Sequence, residues 1–174
     1  MNGPAPFIVT AELPPDIFAW AEALRRAHYP PERNKLGAHV TLFHSFAPSL
    51  REELRRYLPQ VAGEYAPPAA CVAGLMDLGQ GTAIDIASKG MLAIREHIAG
   101  HFHGSLTAQD QYEPRLHITI QNKVSEEAAW ALQRELAPTL EARSFHFTGL
   151  GLHLYRDGPW EALGSWRFRG RQHG

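Results

Sequence analysis

The hydrophobic and polar positions of the first 78 residues predict three strands separated by two helices. Branched and aromatic residues dominate the segments FIVTAEL, AHVTLFHSF and PAACVAGLMDL, which favours strands over 7–13, 38–46 and 68–78. Between these strands, apolar residues recur at the spacing of one buried helical face. The first helix starts at Pro14 and Pro15 and carries Ile17, Trp20, Ala21 and Leu24, and the second carries Leu50, Leu54, Tyr57, Leu58 and Val61.

The rest of the chain predicts the same order of elements again. Strand patterns cover 82–88, 115–124 and 145–155, the first of them after a Gly79-Gln80-Gly81 turn. Two helical patterns lie between these strands. One helix covers 89–103 and presents Met91, Ile94, Ile98 and Phe102 on one face, and the other is opened by Ser125 with Glu126 and Glu127 in its first turn.

Corresponding elements of the two halves start 75 to 78 residues apart, the offset that a duplicated β-α-β-α-β unit would leave. We therefore predict one bilobal α+β domain over 1–174, with pseudo-repeats over about 7–78 and 82–155. A turn at Asp157-Gly158 then leads into a closing strand over 160–168. In the first half, Ser49 and Glu52 match the pattern of a capping box at the start of the second helix.

Composition and charge narrow the class of protein. The 174 residues carry a net charge of −1, so no overall positive field favours a long duplex nucleic acid. Cys71 is the only cysteine, which excludes an internal disulfide and a cysteine-rich zinc site. The sequence has neither a signal-peptide pattern nor an apolar run of membrane-spanning length. We expect a cytoplasmic monomer with no membrane partner, acting on a small or terminal phosphate.

The strongest candidate chemistry is a His-x-Thr motif at the same place in each half. His39 and Thr41 lie on one predicted strand, and His117 and Thr119 lie on its counterpart. Because residues i and i+2 of a strand point to the same face, each histidine projects together with its threonine. The apolar residues Val40, Leu42, Ile118 and Ile120 then pack behind them. If a pseudo-twofold axis relates the two lobes, the two motifs converge on one site.

With these motifs, the chain resembles the two-histidine (2H) phosphoesterase superfamily, and within it the RNA 2',3'-cyclic phosphodiesterase or 2'-5' RNA ligase family. The resemblance extends over the opening strand, the AHVTLF and PRLHITI segments and the terminal strand pair. It implies two facing antiparallel sheets with helices on the outside, and catalysis without a metal or cofactor. It also implies that the catalytic residues are His39, Thr41, His117 and Thr119. His44 and Asn122 depart from the family pattern, which leaves the exact substrate open.

Two histidines suffice to open a 2',3'-cyclic phosphate. One takes a proton from the attacking water, and the other protonates the departing ribose oxygen from the opposite side. The two threonine hydroxyls can donate to the non-bridging oxygens of the phosphate. The pseudo-symmetry leaves open which of His39 and His117 is the base. The expected substrates are RNA 2',3'-cyclic phosphate ends or small cyclic nucleotides, and the reverse reaction would be 2'-5' RNA ligation.

Strand alternation also predicts three substrate-binding residues on the same face. Phe43 would stack on a nucleobase, Arg115 would pair with phosphate, and Gln121 would lie beside them. A core aromatic and a solvated arginine are equally good explanations of Phe43 and Arg115.

Two alternatives have different chemistry. His97 and His101 lie four residues apart on a helix with His103 close by, a spacing that permits a metal-dependent hydrolase, although no HExxH motif is present. The other alternative is a non-catalytic module that binds a nucleotide or an RNA end. Two intact histidine and threonine pairs argue against it, because binding alone does not require a paired acid and base.

Overall fold

The computed structural model describes residues 5–156 and 158–173, so Asp157 of the predicted turn and the ends of the predicted domain lie outside the described residues. Within them the chain forms four α-helices and eight strands, one strand more than the seven predicted, and the order of the other elements matches the prediction. The strands are β1 (Phe7–Glu12), β2 (Val40–Phe46), β3 (Ala69–Asp77), β4 (Thr82–Ala87), β5 (His117–Gln121), β6 (Ser144–His146), β7 (Gly149–Leu154) and β8 (Glu161–Arg167). The helices are α1 (Pro15–His28), α2 (Arg51–Glu64), α3 (Lys89–His101) and α4 (Glu126–Leu136).

The strands form two four-stranded antiparallel sheets, which confirms the predicted α+β class. The first sheet has the order β2-β1-β7-β8, and the second has the order β5-β4-β3-β6. Each sheet combines strands from both halves of the chain, because β7 pairs with β1 while β3 lies between β4 and β6. Helix α2 packs against the first sheet, and α3 and α4 pack against the second. Descent from a duplicated unit stays a prediction.

The predicted strand over 145–155 is wrong, because the chain changes sheets in the middle of it. β6 pairs with β3 in the second sheet, and β7 pairs with β1 in the first. At the crossing, the backbone N–H of Phe147 donates to the carbonyl of Pro68, and that of Thr148 donates to the carbonyl of Glu12. One segment of continuous strand composition therefore joins the two lobes.

The strand predicted over 115–124 is also shorter than expected. β5 ends at Gln121, and two residues later Lys123 adopts a φ of 62°, a conformation that ends an extended segment.

The predicted capping box is wrong, whereas the cap at Ser125 is confirmed. Ser49 lies inside a 3₁₀ turn over Pro48–Leu50, so Leu50 takes the N-cap position of α2 and provides no side-chain cap. At α4, the Ser125 hydroxyl accepts a hydrogen bond from the Ala128 backbone N–H at 3.1 Å. Such a cap satisfies one of the free donors at a helix start.

A buried polar cluster fixes the far end of β2. The carboxylate of Asp110 accepts hydrogen bonds from the backbone N–H groups of His44 and Ser45, at 2.9–3.0 Å, and lies 3.2 Å from the His44 Nδ1. Arg95, which is buried beneath it, donates to the carbonyls of Asp110 and Leu42. Burial alone would raise the pKa of Asp110, but the hydrogen bonds from the side chain and backbone of His44 and from the Ser45 backbone lower it.

We expect Asp110→Ala to destabilise the fold by about 2–3 kcal/mol at pH 7, because it leaves the partly buried backbone N–H groups of His44 and Ser45 without their acceptor. The folded-state pKa of Asp110 lies below its unfolded value of about 3.9, so this stabilisation is present above about pH 4 and is lost as the pH falls through the folded-state pKa. Urea unfolding at pH 7 and at pH 3 measures both effects. An equal loss from Glu141→Ala, in an exposed loop, would contradict the prediction.

Candidate active site

The two His-x-Thr motifs lie on strands that edge their sheets and approach each other. β2 is the edge of the first sheet, β5 is the edge of the second, and Cα atoms of the two strands come within 8 Å of one another. His39 immediately precedes β2, and Thr41 lies on it, whereas His117 and Thr119 both lie on β5. The four side chains are partly exposed. The apolar residues predicted to pack behind them are fully buried: Val40, Leu42, Ile118 and Ile120.

Both histidines are oriented in the same way. The Nδ1 of His39 lies 2.8 Å from the carbonyl oxygen of Gly37, and the Nδ1 of His117 lies 2.7 Å from that of Arg115. A carbonyl oxygen can only accept, so each Nδ1 carries the proton of the bond. In the neutral ring, Nε2 therefore has the free lone pair. In each half, the carbonyl two residues upstream selects the tautomer that a proton-transfer catalyst needs.

The environment of His39 favours its neutral form. Its pKa is lowered from 6.5 to about 4, mainly by burial and additionally by the charges of Arg25, His153 and His117, while the hydrogen bond to Gly37 opposes the shift. Because these charges act on His39, the side chains of Arg25, His153 and His117 all lie near its imidazole. The indole of Trp160 packs against the imidazole with ring centroids 4.7 Å apart, and it contributes to this burial.

Phe43 and Gln121 do not share the face of the two motifs, so their predicted positions are wrong. In both strands the cause is an irregularity in strand pairing just after the threonine. On β2, Thr41 pairs with Thr10 while Phe43 pairs with Val9, so one extra residue follows Thr41. On β5, an extra residue likewise follows Thr119. A bulge of this kind reverses the faces of the residues beyond it.

The displaced side chains have structural partners instead. Phe43 is completely buried, with the Arg95 guanidinium 4.2 Å above its ring. Gln121 is buried and accepts a hydrogen bond from the Thr82 hydroxyl at 2.9 Å.

Arg115 is exposed and donates to the Asp85 carboxylate at 2.9 Å. Asp85 lies directly opposite His117 in the sheet, so this ion pair is beside the second motif. Binding of phosphate by Arg115 stays a prediction.

A third histidine, not predicted, lines the site. His153 on β7 has its Nε2 3.0 Å from the Thr10 hydroxyl, and Thr10 is the cross-strand partner of Thr41. Gly151 makes this contact possible, since a Cβ there would lie 2.6 Å from the Thr10 hydroxyl and 2.9 Å from the His153 Nε2. Burial lowers the pKa of His153. In the sequence, His153 is marked only by its position two residues after Gly151 on a strand, which places the two on the same face.

Arg25 is a second residue that the sequence analysis missed. It is buried on α1, and its guanidinium donates to the carbonyl of Thr119 at 2.6 Å and to the side-chain oxygen of Asn34 at 2.9 Å. The side chain therefore ties the first half of the chain to the second motif. The sequence does indicate that Arg25 is buried, because it follows Ile17 and Ala21 at a spacing of four residues on the apolar face of the helix.

Two cavities flank the first motif, with Trp160 lining both. The His39 cavity, of about 400 Å³, is lined by His39, His153, Thr10 and Glu12. Burial raises the pKa of the Glu12 carboxyl, against the hydrogen bond from Ser165 and the charge of Arg167. The second cavity, of about 490 Å³, adjoins Thr41 and is lined by Arg25, Arg33 and Lys35, and we call it the basic cavity.

Two of the three histidines considered as metal ligands, His97 and His101, have side-chain partners within the protein. His97 Nδ1 lies 2.7 Å from the Tyr65 hydroxyl. His101 Nε2 lies 2.6 Å from a Glu53 carboxylate oxygen, and its ring stacks on Tyr57 at 3.6 Å. In residues 5–156 and 158–173, no three His, Cys, Asp or Glu side chains are grouped as a metal site.

A fold of two antiparallel sheets whose adjoining edges each carry a His-x-Thr motif defines a protein of the two-histidine phosphoesterase class. The family model described as the 2'-5' RNA ligase superfamily matches residues 13–159, and the chain belongs to this superfamily. The resemblance inferred from the sequence is therefore confirmed. No curated protein matches the chain.

Solved structures share the fold at low sequence identity. TT0787 of Thermus thermophilus matches with a TM-score of 0.66 and 14% identity, over 96% of this chain and 100% of that one. E. coli LigT complexed with NADP+ matches with a TM-score of 0.61 and 17% identity, over 95% and 99% of the two chains. LigT complexed with 3'-AMP matches with a TM-score of 0.59, at the same identity and coverage.

In the part of the chain that the structure describes, no helix has both the length and the apolar character required to span a membrane.

Proposed function

We propose that this chain is a metal-independent phosphodiesterase that opens 2',3'-cyclic phosphates of RNA ends or nucleotides, with His39 and His117 as the acid and base. Membership of the 2'-5' RNA ligase superfamily supports phosphoesterase or ligase chemistry. The observation that carries the proposal is the matched pair of Nδ1 bonds to the carbonyls of Gly37 and Arg115, which leaves both Nε2 atoms for proton transfer. The 3'-AMP and NADP+ complexes of LigT are consistent with nucleotide ligands in a relative.

The low pKa of His39 supports a division of roles. A neutral imidazole can accept a proton, so His39 is the base that deprotonates the attacking water. The water oxygen forms a bond to phosphorus as the bond from phosphorus to one ribose oxygen breaks. His117, as imidazolium, gives its Nε2 proton to that departing oxygen. Proton exchange with solvent then restores both rings.

The threonines stabilise the charge that grows on the phosphate. Among the described residues, neither the Thr41 nor the Thr119 hydroxyl forms a hydrogen bond with another side chain, so both can donate to non-bridging oxygens. Arg25 holds the backbone of Thr119 in place. Arg115 adds a positive charge beside His117. Run in reverse, the same groups join a hydroxyl to a cyclic phosphate, which is 2'-5' ligation in RNA processing. We propose that the chain acts in the cytoplasm as a monomer.

The test is incubation of the protein, in excess chelator, with 2',3'-cyclic phosphates of the four nucleosides and of a short RNA. We expect a single phosphomonoester product, and phosphorus NMR identifies it as the 2'- or the 3'-phosphate. A chelator-resistant product supports the metal-independent scheme. Activity that chelator abolishes and added metal restores would overturn it, and tight binding without product would establish the non-catalytic module instead.

A further inference from the structure

The basic cavity has the composition of an anion-binding site. It adjoins Thr41 and is lined by the cations Arg25, Arg33 and Lys35 and by the aromatic residues Tyr29 and Tyr155. Among the described residues, no acidic side chain lines it. The His39 cavity shares Lys35 with it but contains neither arginine, and it holds the carboxyl of Glu12. The two sides of the first motif therefore differ in charge.

Arg25 places a positive charge at the floor of this cavity. Its side chain is buried, and in residues 5–156 and 158–173 it forms no ion pair with a carboxylate. Its Nε is buried without a hydrogen-bond partner. Burial lowers the pKa of Arg25, against the charges of Tyr29 and Glu22, so the guanidinium carries a desolvation cost that a bound anion would relieve.

Arg33 and Lys35 bring two more cations to the rim. Both are exposed, on a segment held by backbone hydrogen bonds from Arg33 to Pro30 and from Lys35 to Arg33, at 2.8 and 3.1 Å. A buried Arg25 at the base of the cavity and exposed Arg33 and Lys35 at its entrance suit a ligand that arrives from solvent. Guanidinium groups pair with phosphate through two hydrogen bonds, and a lysine adds a point charge.

We propose that the basic cavity is a second phosphate subsite, which binds the 5'-phosphate of the same nucleotide whose 2',3'-cyclic phosphate reacts. The inference rests on the proposed function, because it places the reacting phosphate between Thr41 and Thr119. The phosphate in the subsite is either a terminal 5'-phosphate or the phosphodiester to the preceding nucleotide. Tyr155 then offers a stacking surface for that preceding nucleotide, whereas the Tyr29 ring already has the Arg25 guanidinium 4.4 Å from its centroid.

The subsite makes the 5'-phosphate a determinant of specificity. The experiment compares kcat/KM for three substrates: adenosine 2',3'-cyclic phosphate with a 5'-hydroxyl, the same compound with a 5'-phosphate, and the dinucleotide ApA 2',3'-cyclic phosphate. We expect a 5'-phosphate in either form to raise kcat/KM about ten-fold or more, mainly through KM, and the gain to shrink as salt rises. A larger gain with the dinucleotide assigns the subsite to RNA, and a larger gain with the 5'-monophosphate assigns it to a terminal phosphate.

The variant Arg33→Ala/Lys35→Ala removes two of the three cations, so it should lower the ratio of kcat/KM between 5'-phosphorylated and unphosphorylated substrates several-fold, with Arg25 retaining part of the gain. Arg134→Ala, an exposed arginine on α4 that lines neither cavity, is the matched control and should keep the ratio. Equal kcat/KM with and without the 5'-phosphate would overturn the subsite and leave the proposed function intact. If no cyclic phosphate is turned over, the proposed function fails, and calorimetry decides the subsite. Tighter binding of 5'-AMP than of adenosine, weakened in the double variant, supports the subsite. Equal binding of 5'-AMP and adenosine overturns it.

Discussion

Replacing either His39 or His117 by alanine should lower kcat for opening of a 2',3'-cyclic phosphate by about 10²–10⁴-fold, the usual contribution of a positioned acid or base. Each replacement removes one of the two Nε2 atoms that the Gly37 and Arg115 carbonyls orient. Because the two groups act in one step, the double variant should lose far less than the product of the single losses. Steady-state kinetics with one cyclic nucleotide at saturation measures all three variants.

His146→Ala is the matched control for these variants. His146 is an exposed histidine on β6, in the second sheet, and it belongs to neither motif. We expect it to retain wild-type kcat. Circular dichroism of each variant separates loss of catalysis from loss of fold. A folded His117→Ala protein that turns over within a factor of about three of wild type would remove His117 from the mechanism, because a positioned acid contributes far more.

The two motifs could be predicted from the sequence because they depend on local structure. From His39 to Leu42 and from His117 to Ile120, polar and apolar residues alternate, and the apolar members are the ones that the structure buries. A period of two within a strand is set by the backbone of that strand alone. The position of each motif within its half could also be predicted, because composition and helix caps indicate the order of strands and helices.

The alternation stopped being informative one residue beyond each threonine. The extra residue after Thr41 or Thr119 depends on how a neighbouring strand pairs, and that pairing is a long-range property. Phe43 and Gln121 were therefore assigned to the wrong face. The change of sheet at Phe147 is of the same kind, since both sides of the crossing have strand composition.

The supporting residues of the site were missed for a related reason. Arg25 reaches Thr119 across 94 positions of the chain, and Thr10 reaches His153 across 143. Neither contact has a fixed spacing that a pattern could reveal. An arginine on an apolar helical face was nevertheless a usable anomaly, because charged side chains are rarely buried without a partner.

We expect Trp160 to control the pH range in which His39, the proposed base, is active. The kcat/KM profile reports the pKa of the free enzyme, so its acid limb should fall near pH 4, the pKa that His39 has in this environment, and not near 6.5. Trp160→Ala removes the indole that packs on the ring, which lets water reach it and raises the pKa. The acid limb should therefore move to higher pH.

The effect is largest in mild acid. At pH 5 a base with a pKa of about 4 is about nine-tenths neutral, whereas one with a pKa of about 6.5 is only about 3% neutral, so full exposure of His39 would cost about 30-fold. At pH 8 both forms are neutral, and the factor approaches one. NMR titration of the His39 ring without substrate separates this effect from any contact between Trp160 and the substrate. Trp130→Ala, a half-exposed tryptophan on α4, should leave the titration unchanged. An unshifted His39 titration in Trp160→Ala would show that the indole does not control the base.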